Sequence, residues 1–88
     1  MISVVISAYN AEATLEKCLQ AVRQSTFQDY ELIVVDDGST DKTREIALRY
    51  ADSIVQFDEN MGLPIARKAG LNATTGEIVV NVDSDILI

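Results

Sequence analysis

The feature that most constrains the fold is an alternation of short apolar runs with helical patterns. The apolar runs lie at residues 2–6, 32–35, 54–57 and 78–82, and they are rich in β-branched side chains. Short, nearly continuous runs of this kind are typical of strands that are covered on both faces. The chain therefore predicts strands that are buried in a sheet and connected by helices.

Apolar residues recur at helical spacing between these runs. Pro64 suits the first turn of a helix and Gly76 suits a helix stop, so a third helix is predicted over about residues 64–74. The order βαβαβαβ predicts an α/β fold, a Rossmann-like three-layer sandwich with a four-stranded, mainly parallel sheet, as a single domain over residues 1–88. The residues predicted to face inward are Leu15, Cys18, Leu19 and Val22 in the first helix, Thr43, Ile46, Ala47 and Tyr50 in the second, and Ile65, Ala66, Ala69 and Ala73 in the third.

Composition excludes some classes of partner. The net charge of -7 argues against binding to a nucleic-acid backbone, which needs clustered Lys and Arg, and it fits a site for a metal cation. The chain has one cysteine, Cys18, which excludes an internal disulfide and favours a reducing compartment. The N-terminal residues lack the pattern of a signal peptide. We therefore expect a cytoplasmic protein.

Polar residues follow each predicted strand. In a parallel sheet these connections meet at one edge, where ligands bind. Several carboxylates that lie together repel one another, and a divalent cation or the hydrogen-bond donors of a ligand would relieve that repulsion. The strand ends are Ser7-Ala8-Tyr9-Asn10, Asp36-Asp37-Gly38-Ser39, Asp58-Glu59-Asn60-Met61-Gly62 and Asp83-Ser84-Asp85.

The carboxylates of Asp83 and Asp85 would point the same way in an extended chain. Two such groups can hold Mg²⁺ or Mn²⁺ and leave coordination sites for phosphate oxygens. The alternative is a pair of solvated turn acids. The other acidic strand ends favour the metal site.

The connection after the second strand combines structural and functional candidates. Gly38 allows a tight turn, and one residue of the segment 39–41 is expected to cap the second helix. Asp36 and Asp37 are needed for neither role. Either carboxylate can accept a hydrogen bond from the N–H of a base ring or from ribose hydroxyls.

Two further candidates have equally plain alternatives. Tyr9 can stack on a flat ring or pack against the sheet edge, and Asn10 can cap the first helix. Arg67 and Lys68 can meet a diphosphate or form a solvated helix face.

Four segments resemble, in order and spacing, the family 2 glycosyltransferases, which are inverting enzymes with the GT-A fold. The segments are "SVVISAYNAEATLEKCLQAV", "ELIVVDDGSTDKT", "NMGLPIARKAGLNATTGE" and "VVNVDSD". The resemblance implies that the donor is a nucleotide sugar, most often a UDP-sugar, and that the fold is part of the GT-A fold.

The resemblance also implies roles for matching residues. Ala8, Tyr9 and Asp37 would hold the base, and Asp36 is a weaker candidate. Asp83 would contact ribose and metal, Asp85 would chelate Mn²⁺ or Mg²⁺, and Lys68 would contact phosphate.

Such enzymes need a general base, which in this family lies beyond the metal motif. The resemblance therefore implies that the chain is the N-terminal, nucleotide-sugar-binding half of a longer enzyme. This half lacks the general base, so we expect it to be inactive in transfer. The longer enzyme can lie at the cytoplasmic face of a membrane. The exposed edge of the fourth strand and the tail of residues 86–88 predict a possible homodimer.

Two other classes carry acids on a parallel sheet. A receiver-like signalling domain places its acid pair after the first strand, where this chain has Ser7-Ala8-Tyr9-Asn10. A nucleotidyltransferase has a glycine-rich basic loop there. A non-catalytic nucleotide-binding or receiver-like domain is the alternative interpretation.

Overall fold

The computed structural model describes residues 1–25 and 29–83, and it describes Asp83 by its backbone alone. The predicted order βαβαβαβ is confirmed. The elements are β1 Ile2–Ala8, α1 Glu12–Arg23, β2 Tyr30–Asp37, α2 Thr43–Tyr50, β3 Ser53–Phe57, α3 Leu63–Asn72 and β4 Ile78–Asp83.

The strands form one four-stranded sheet in the order β3-β2-β1-β4, and every neighbouring pair is parallel. From β1 the chain builds the sheet outward through β2 and β3, and it then returns to place β4 on the other side of β1. The strand order therefore reverses at β1, and in open α/β sheets a crevice for ligands opens at such a point, beyond the carboxyl ends of the strands. Register places Ala8 beside Asp36 and Ser7 beside Asp83 at this edge.

Helices cover both faces of the sheet, as the three-layer prediction requires. The helices α1 and α2 pack on one face, against Ile6, Leu32 and Val34, whereas α3 packs on the other, where Ala66 joins a smaller cluster. The predicted inner face of α1 is buried, including the thiol of Cys18. In α2, three of the predicted residues are buried and Tyr50 is half-buried.

The prediction for α3 is wrong at Ile65, whose side chain is 48% exposed. The residues that α3 buries are Ala66 and Gly70, one helical turn apart. A Cβ on Gly70 would lie 2.4 Å from Cγ1 of Val5, so the helix approaches the sheet at its smallest residue. Because of this close approach, only a narrow part of the α3 surface touches the sheet, and Ile65 lies beside that part.

The amino ends of the strands are tied together by Glu31. Its Oε2 accepts hydrogen bonds from the hydroxyl of Ser3, from the N–H (2.6 Å) and hydroxyl (2.9 Å) of Thr75, and from the N–H of Gly76 (3.1 Å). These donors lower the pKa of Glu31 to about 2. The carboxylate thus fastens the α3–β4 connection to β1 and β2, at the edge of the sheet opposite the acidic connections.

Within the described part of the chain, none of the helices is both long and apolar enough to cross a bilayer.

Candidate functional site

A cleft of about 240 Å³ opens at the carboxyl ends of the strands. Residues at the ends of β1 and β2 and in the β3–α3 connection line the cleft. The structure therefore brings Ala8, Tyr9 and Asp37 together, as the strand order predicted. The lining residues are Ser7, Ala8, Tyr9, Asp37, Asn60, Gly62 and Leu63.

Asp37 lies between the cleft and the β3–α3 connection, and only 4% of its surface is exposed. Its Oδ1 accepts the N–H of Met61 at 2.7 Å. Its Oδ2 accepts the N–H of Gly62 and Nδ2 of Asn60, both at 3.1 Å. A carboxylate offers about four lone-pair positions, so these bonds leave room for about one further donor. Asp37 can thus shape the cleft wall and still accept a hydrogen bond from a ligand.

Gly38 packs the turn after β2 against the same connection. Its φ is 76°, and a Cβ there would lie 2.2 Å from the carbonyl carbon of Glu59. Only glycine combines that backbone conformation with that contact. The predicted tight turn is confirmed.

Asp36 is buried completely, in contrast to the cleft position of Asp37. Its Oδ1 accepts the N–H of Ser39 at 3.1 Å, and its Oδ2 accepts Nε of Arg44 at 3.0 Å in an ion pair. These contacts give Asp36 a structural role in holding the β2–α2 connection. The nucleoside contact predicted for Asp36 stays a prediction, and its burial disfavours it.

Tyr9 lines the cleft with 51% of its surface exposed, so its ring is accessible to a planar ligand. The prediction that the neighbouring residue, Asn10, caps the first helix is wrong. Asn10 does not cap α1, which begins after Ala11 with no side-chain cap. Its backbone instead takes the left-handed conformation, with φ 47°, and its side chain turns toward the β2–α2 connection, where Oδ1 accepts the N–H of Thr40 at 2.8 Å.

Side chains at and just before the start of α2 accept the N–H groups of Ala11 and Glu12, where α1 begins. The N–H of Ala11 donates to Oγ1 of Thr43 at 2.8 Å, and that of Glu12 donates to Oδ2 of Asp41 at 3.3 Å. The prediction that one of residues 39–41 caps α2 is wrong, because the N-cap is Lys42 and no side chain caps the helix. Asp41, one residue earlier, accepts the N–H of Thr43 at 2.9 Å. Partial burial acts to raise the pKa of Asp41, but the donors from Thr43 and Glu12 outweigh it and the pKa is lowered.

The remaining predicted ligands fall at the margin of the described structure. Asp83 ends β4 beside Ser7, a residue of the cleft wall, and Asp85 lies outside the described residues. The described side chains, those of residues 1–25 and 29–82, include no cluster of three or more His, Cys, Asp or Glu that could hold a metal. Lys68 is exposed on α3, and it is not one of the residues that line the cleft. The roles of Asp83, Asp85 and Lys68 stay predictions.

Sequence reasoning did not assign Asn60, Gly62 and Leu63 to the site, although Asn60 and Gly62 stood in the acidic strand ends. The available signal was their position after β3. The hydrogen bonds that join this connection to Asp37 span 23 to 25 residues, and a local pattern does not reveal such contacts.

Comparison with known proteins identifies the relatives of this chain. The model of the family described as glycosyl transferase family 2 matches residues 3–88. The glycosyltransferase GlyA of Streptococcus pneumoniae is 41% identical over 88 residues, which cover 96% of this chain and 13% of that protein.

Solved structures give the same result. The S. aureus TarS fragment 1-349 in complex with UDP-GlcNAc superposes with a TM-score of 0.89 at 34% identity, over 96% of this chain and 26% of that one. The mannosyltransferase PcManGT from Pyrobaculum calidifontis, in complex with GDP-Man and Mn²⁺, gives a TM-score of 0.90 at 30% identity, over 98% of this chain and 28% of that one. The chain thus has the fold of part of a GT-A enzyme and spans less than a third of these relatives.

Proposed function

Because the chain belongs to glycosyltransferase family 2, we propose that it holds the nucleoside diphosphate sugar, a UDP-sugar, for an inverting transfer to an acceptor. The observation that carries this proposal is the meeting of Ala8, Tyr9 and Asp37 in one cleft at the point where the strand order reverses. TarS in complex with UDP-GlcNAc and PcManGT in complex with GDP-Man support a nucleotide-sugar donor.

The chemistry of the cleft suits a uracil base. Asp37 is an acceptor with capacity for about one more donor, and uracil has one ring N–H to offer. Cytosine presents a lone pair at that ring position, so it would meet Asp37 with repulsion. The exposed ring of Tyr9 provides a stacking surface. Ala8 is buried and small, and it lets the base approach the end of β1.

The implied metal fits the oxygen donors of the last connection. Carboxylates are the ligands that Mg²⁺ and Mn²⁺ prefer, and the backbone of Asp83 pairs with that of Ser7, a residue that lines the cleft. In this proposal Asp83 and Asp85 hold the cation, and Lys68 contacts the diphosphate. A bound Mn²⁺ or Mg²⁺ would offset the negative charge that grows on the departing nucleoside diphosphate. The complex of PcManGT contains Mn²⁺, which supports a divalent cation.

Among the described residues that line the cleft, Asp37 is the one acid, and in this account it accepts from the base. Asp36, Asp41 and Glu31 hold loops. We therefore propose no general base among residues 1–25 and 29–83, and we expect the 88-residue chain to bind the donor without transferring the sugar.

Calorimetry with UDP, GDP and CDP, with and without Mn²⁺, tests the proposal. We expect UDP to bind best and Mn²⁺ to strengthen binding. Replacing Tyr9 by Ala should weaken UDP binding by about 1–3 kcal/mol, whereas the matched control Tyr9→Phe keeps the ring and most of the affinity. Equal affinity of the wild type and Tyr9→Ala for UDP would contradict the proposed role of the ring.

The edge strand β4 supports a second element of the proposal, self-association. β4 ends the sheet beside β1, and its Ile78 and Val80 are 59% and 41% exposed. An apolar groove of about 230 Å³ adjoins it, lined in part by Val4, Val22 and Val80. We propose a homodimer through this edge. Light scattering over a concentration series should reveal a dimer that Val80→Lys abolishes, and a monomeric mass throughout would refute it.

Cytoplasmic localisation is also a proposal. The buried thiol of Cys18, which forms no disulfide, supports it, since it suits a reducing compartment. The test is thiol labelling of the chain purified from cytosol. Reaction of Cys18 only after denaturation would agree with this placement, and recovery of the chain in a secreted fraction would contradict it.

A further inference from the structure

We propose that Asn10 is a positioning residue that fixes Tyr9 relative to Asp37 and so preorganises the base-binding part of the cleft. The inference rests on the proposed function, because it concerns the affinity for the nucleoside. Asn10 itself is not among the residues that line the cleft. It acts through Tyr9, which precedes it in the chain.

Asn10 ties the β1–α1 connection to the β2–α2 connection from both its backbone and its side chain. Its N–H donates to Oγ of Ser39 at 3.0 Å. Its Oδ1 accepts the N–H of Thr40 at 2.8 Å and the hydroxyl of Thr40 at 3.4 Å. The residues tied together lie 29 and 30 positions apart, so these bonds constrain two separate loops.

The backbone of Asn10 turns the chain directly after Tyr9. Its φ of 47° is the one positive value among the non-glycine residues that the structure describes. Asn tolerates this left-handed conformation better than most residues, whereas other side chains adopt it at a cost. The turn also directs the N–H of Ala11 toward Oγ1 of Thr43. The conformation and the cross-links therefore support each other.

The two connections carry the two base contacts. The first contains Tyr9, and the second follows Asp37, the last residue of β2, which lies three residues before Thr40. Half of the Tyr9 surface is exposed, so packing alone does not fix its ring, and the placement of its backbone matters more. A cross-link at the next residue holds the separation between Tyr9 and Asp37 before the nucleotide binds. Preorganisation of this kind raises affinity because less conformational freedom is lost on binding.

The test measures UDP binding to the 88-residue chain by calorimetry in a double-mutant cycle with Tyr9→Ala. Asn10→Ala removes both the acceptor and the tolerance of the left-handed backbone. Asn10→Gly keeps the backbone freedom and removes only the side chain, so it stays informative where Asn10→Ala fails to fold. Asn10→Asp keeps an acceptor at the same place. Asn72→Ala, on the exposed end of α3, is the matched control.

We expect Asn10→Ala and Asn10→Gly to weaken UDP binding by about three- to tenfold, and Asn10→Asp and Asn72→Ala to change it by less than about twofold. In the Tyr9→Ala background the same Asn10 substitutions should change binding by less than about twofold, since there is no ring left to place. A merely structural role would weaken binding equally in both backgrounds.

Three outcomes would overturn the inference. The first is unchanged UDP affinity in Asn10→Gly, and the second is an equal loss with and without the Tyr9 ring. Both leave the proposed function intact when Tyr9→Ala itself weakens binding. The third is a wild-type chain that binds no nucleotide, which refutes the proposed function and this inference together.

Discussion

The substitution Asp37→Asn tests whether one carboxylate builds the cleft wall. Asn has nearly the same shape as Asp, but it replaces one acceptor oxygen with an NH₂ group. In the structure each oxygen accepts backbone N–H groups, Oδ1 from Met61 and Oδ2 from Gly62. Whichever way the amide is turned, a donor faces a donor on one side.

The magnitude follows from these contacts. A hydrogen bond to a charged group contributes about 1.5–3 kcal/mol, and at least one is lost. The bonds that survive become weaker because the acceptor is neutral. Water can reach the exposed Met61 and Asn60 and recovers part of this cost. We therefore expect Asp37→Asn to lower the free energy of unfolding by about 1.5–3 kcal/mol.

Urea unfolding at pH 7, followed by circular dichroism, measures this loss. The control is Asp58→Asn, which changes an exposed acid at the start of the β3–α3 connection and should stay within about 0.5 kcal/mol of the wild type. A loss in Asp37→Asn no larger than that of the control would refute the structural role assigned to Asp37.

Two further predictions concern the rest of the fold. Because the pKa of Glu31 is lowered from 4.5 to about 2, its stabilising contribution should be complete above pH 4.5 and lost as the pH falls toward 2. In Glu31→Gln the urea concentration at the unfolding midpoint should change less over this pH range than it does in the wild type. An equal dependence of the midpoint on pH in both proteins would contradict the assignment. Gly70→Ala should lower the free energy of unfolding by about 1–2 kcal/mol, because overlap of the new methyl with Val5 outweighs the gain in helix propensity. A stabilised Gly70→Ala would show that α3 can move away from the sheet at no cost.

The sequence predicted the order of elements because apolar residues are spaced differently in helices and in strands. The inner face of α1 repeats Leu15, Cys18, Leu19 and Val22, and all four are buried. The order also placed Tyr9 and Asp37 at one edge, since parallel strands must end together. These inferences use only local pattern and chain direction.

The errors concern residues whose role depends on distant contacts. Asn10 resembles a helix cap because Asn is a favoured cap residue, yet its partner is Thr40, 30 positions away. Ile65 looked like a core residue by its side chain, but the contact of Gly70 with Val5 decides where α3 touches the sheet. Asp36 and Asp37 are adjacent and chemically identical, and only the fold assigns one to Arg44 and the other to the cleft.

The most direct test of the central claim is a titration of the ¹⁵N-labelled chain with UDP in the presence of Mg²⁺, followed by amide chemical shifts. The account predicts that the largest changes occur at Ala8, Tyr9, Asp37 and Gly62, which line one cleft at the carboxyl ends of β1 and β2. Changes confined to the opposite edge of the sheet, around Glu31 and Thr75, or no change at millimolar UDP, would contradict it.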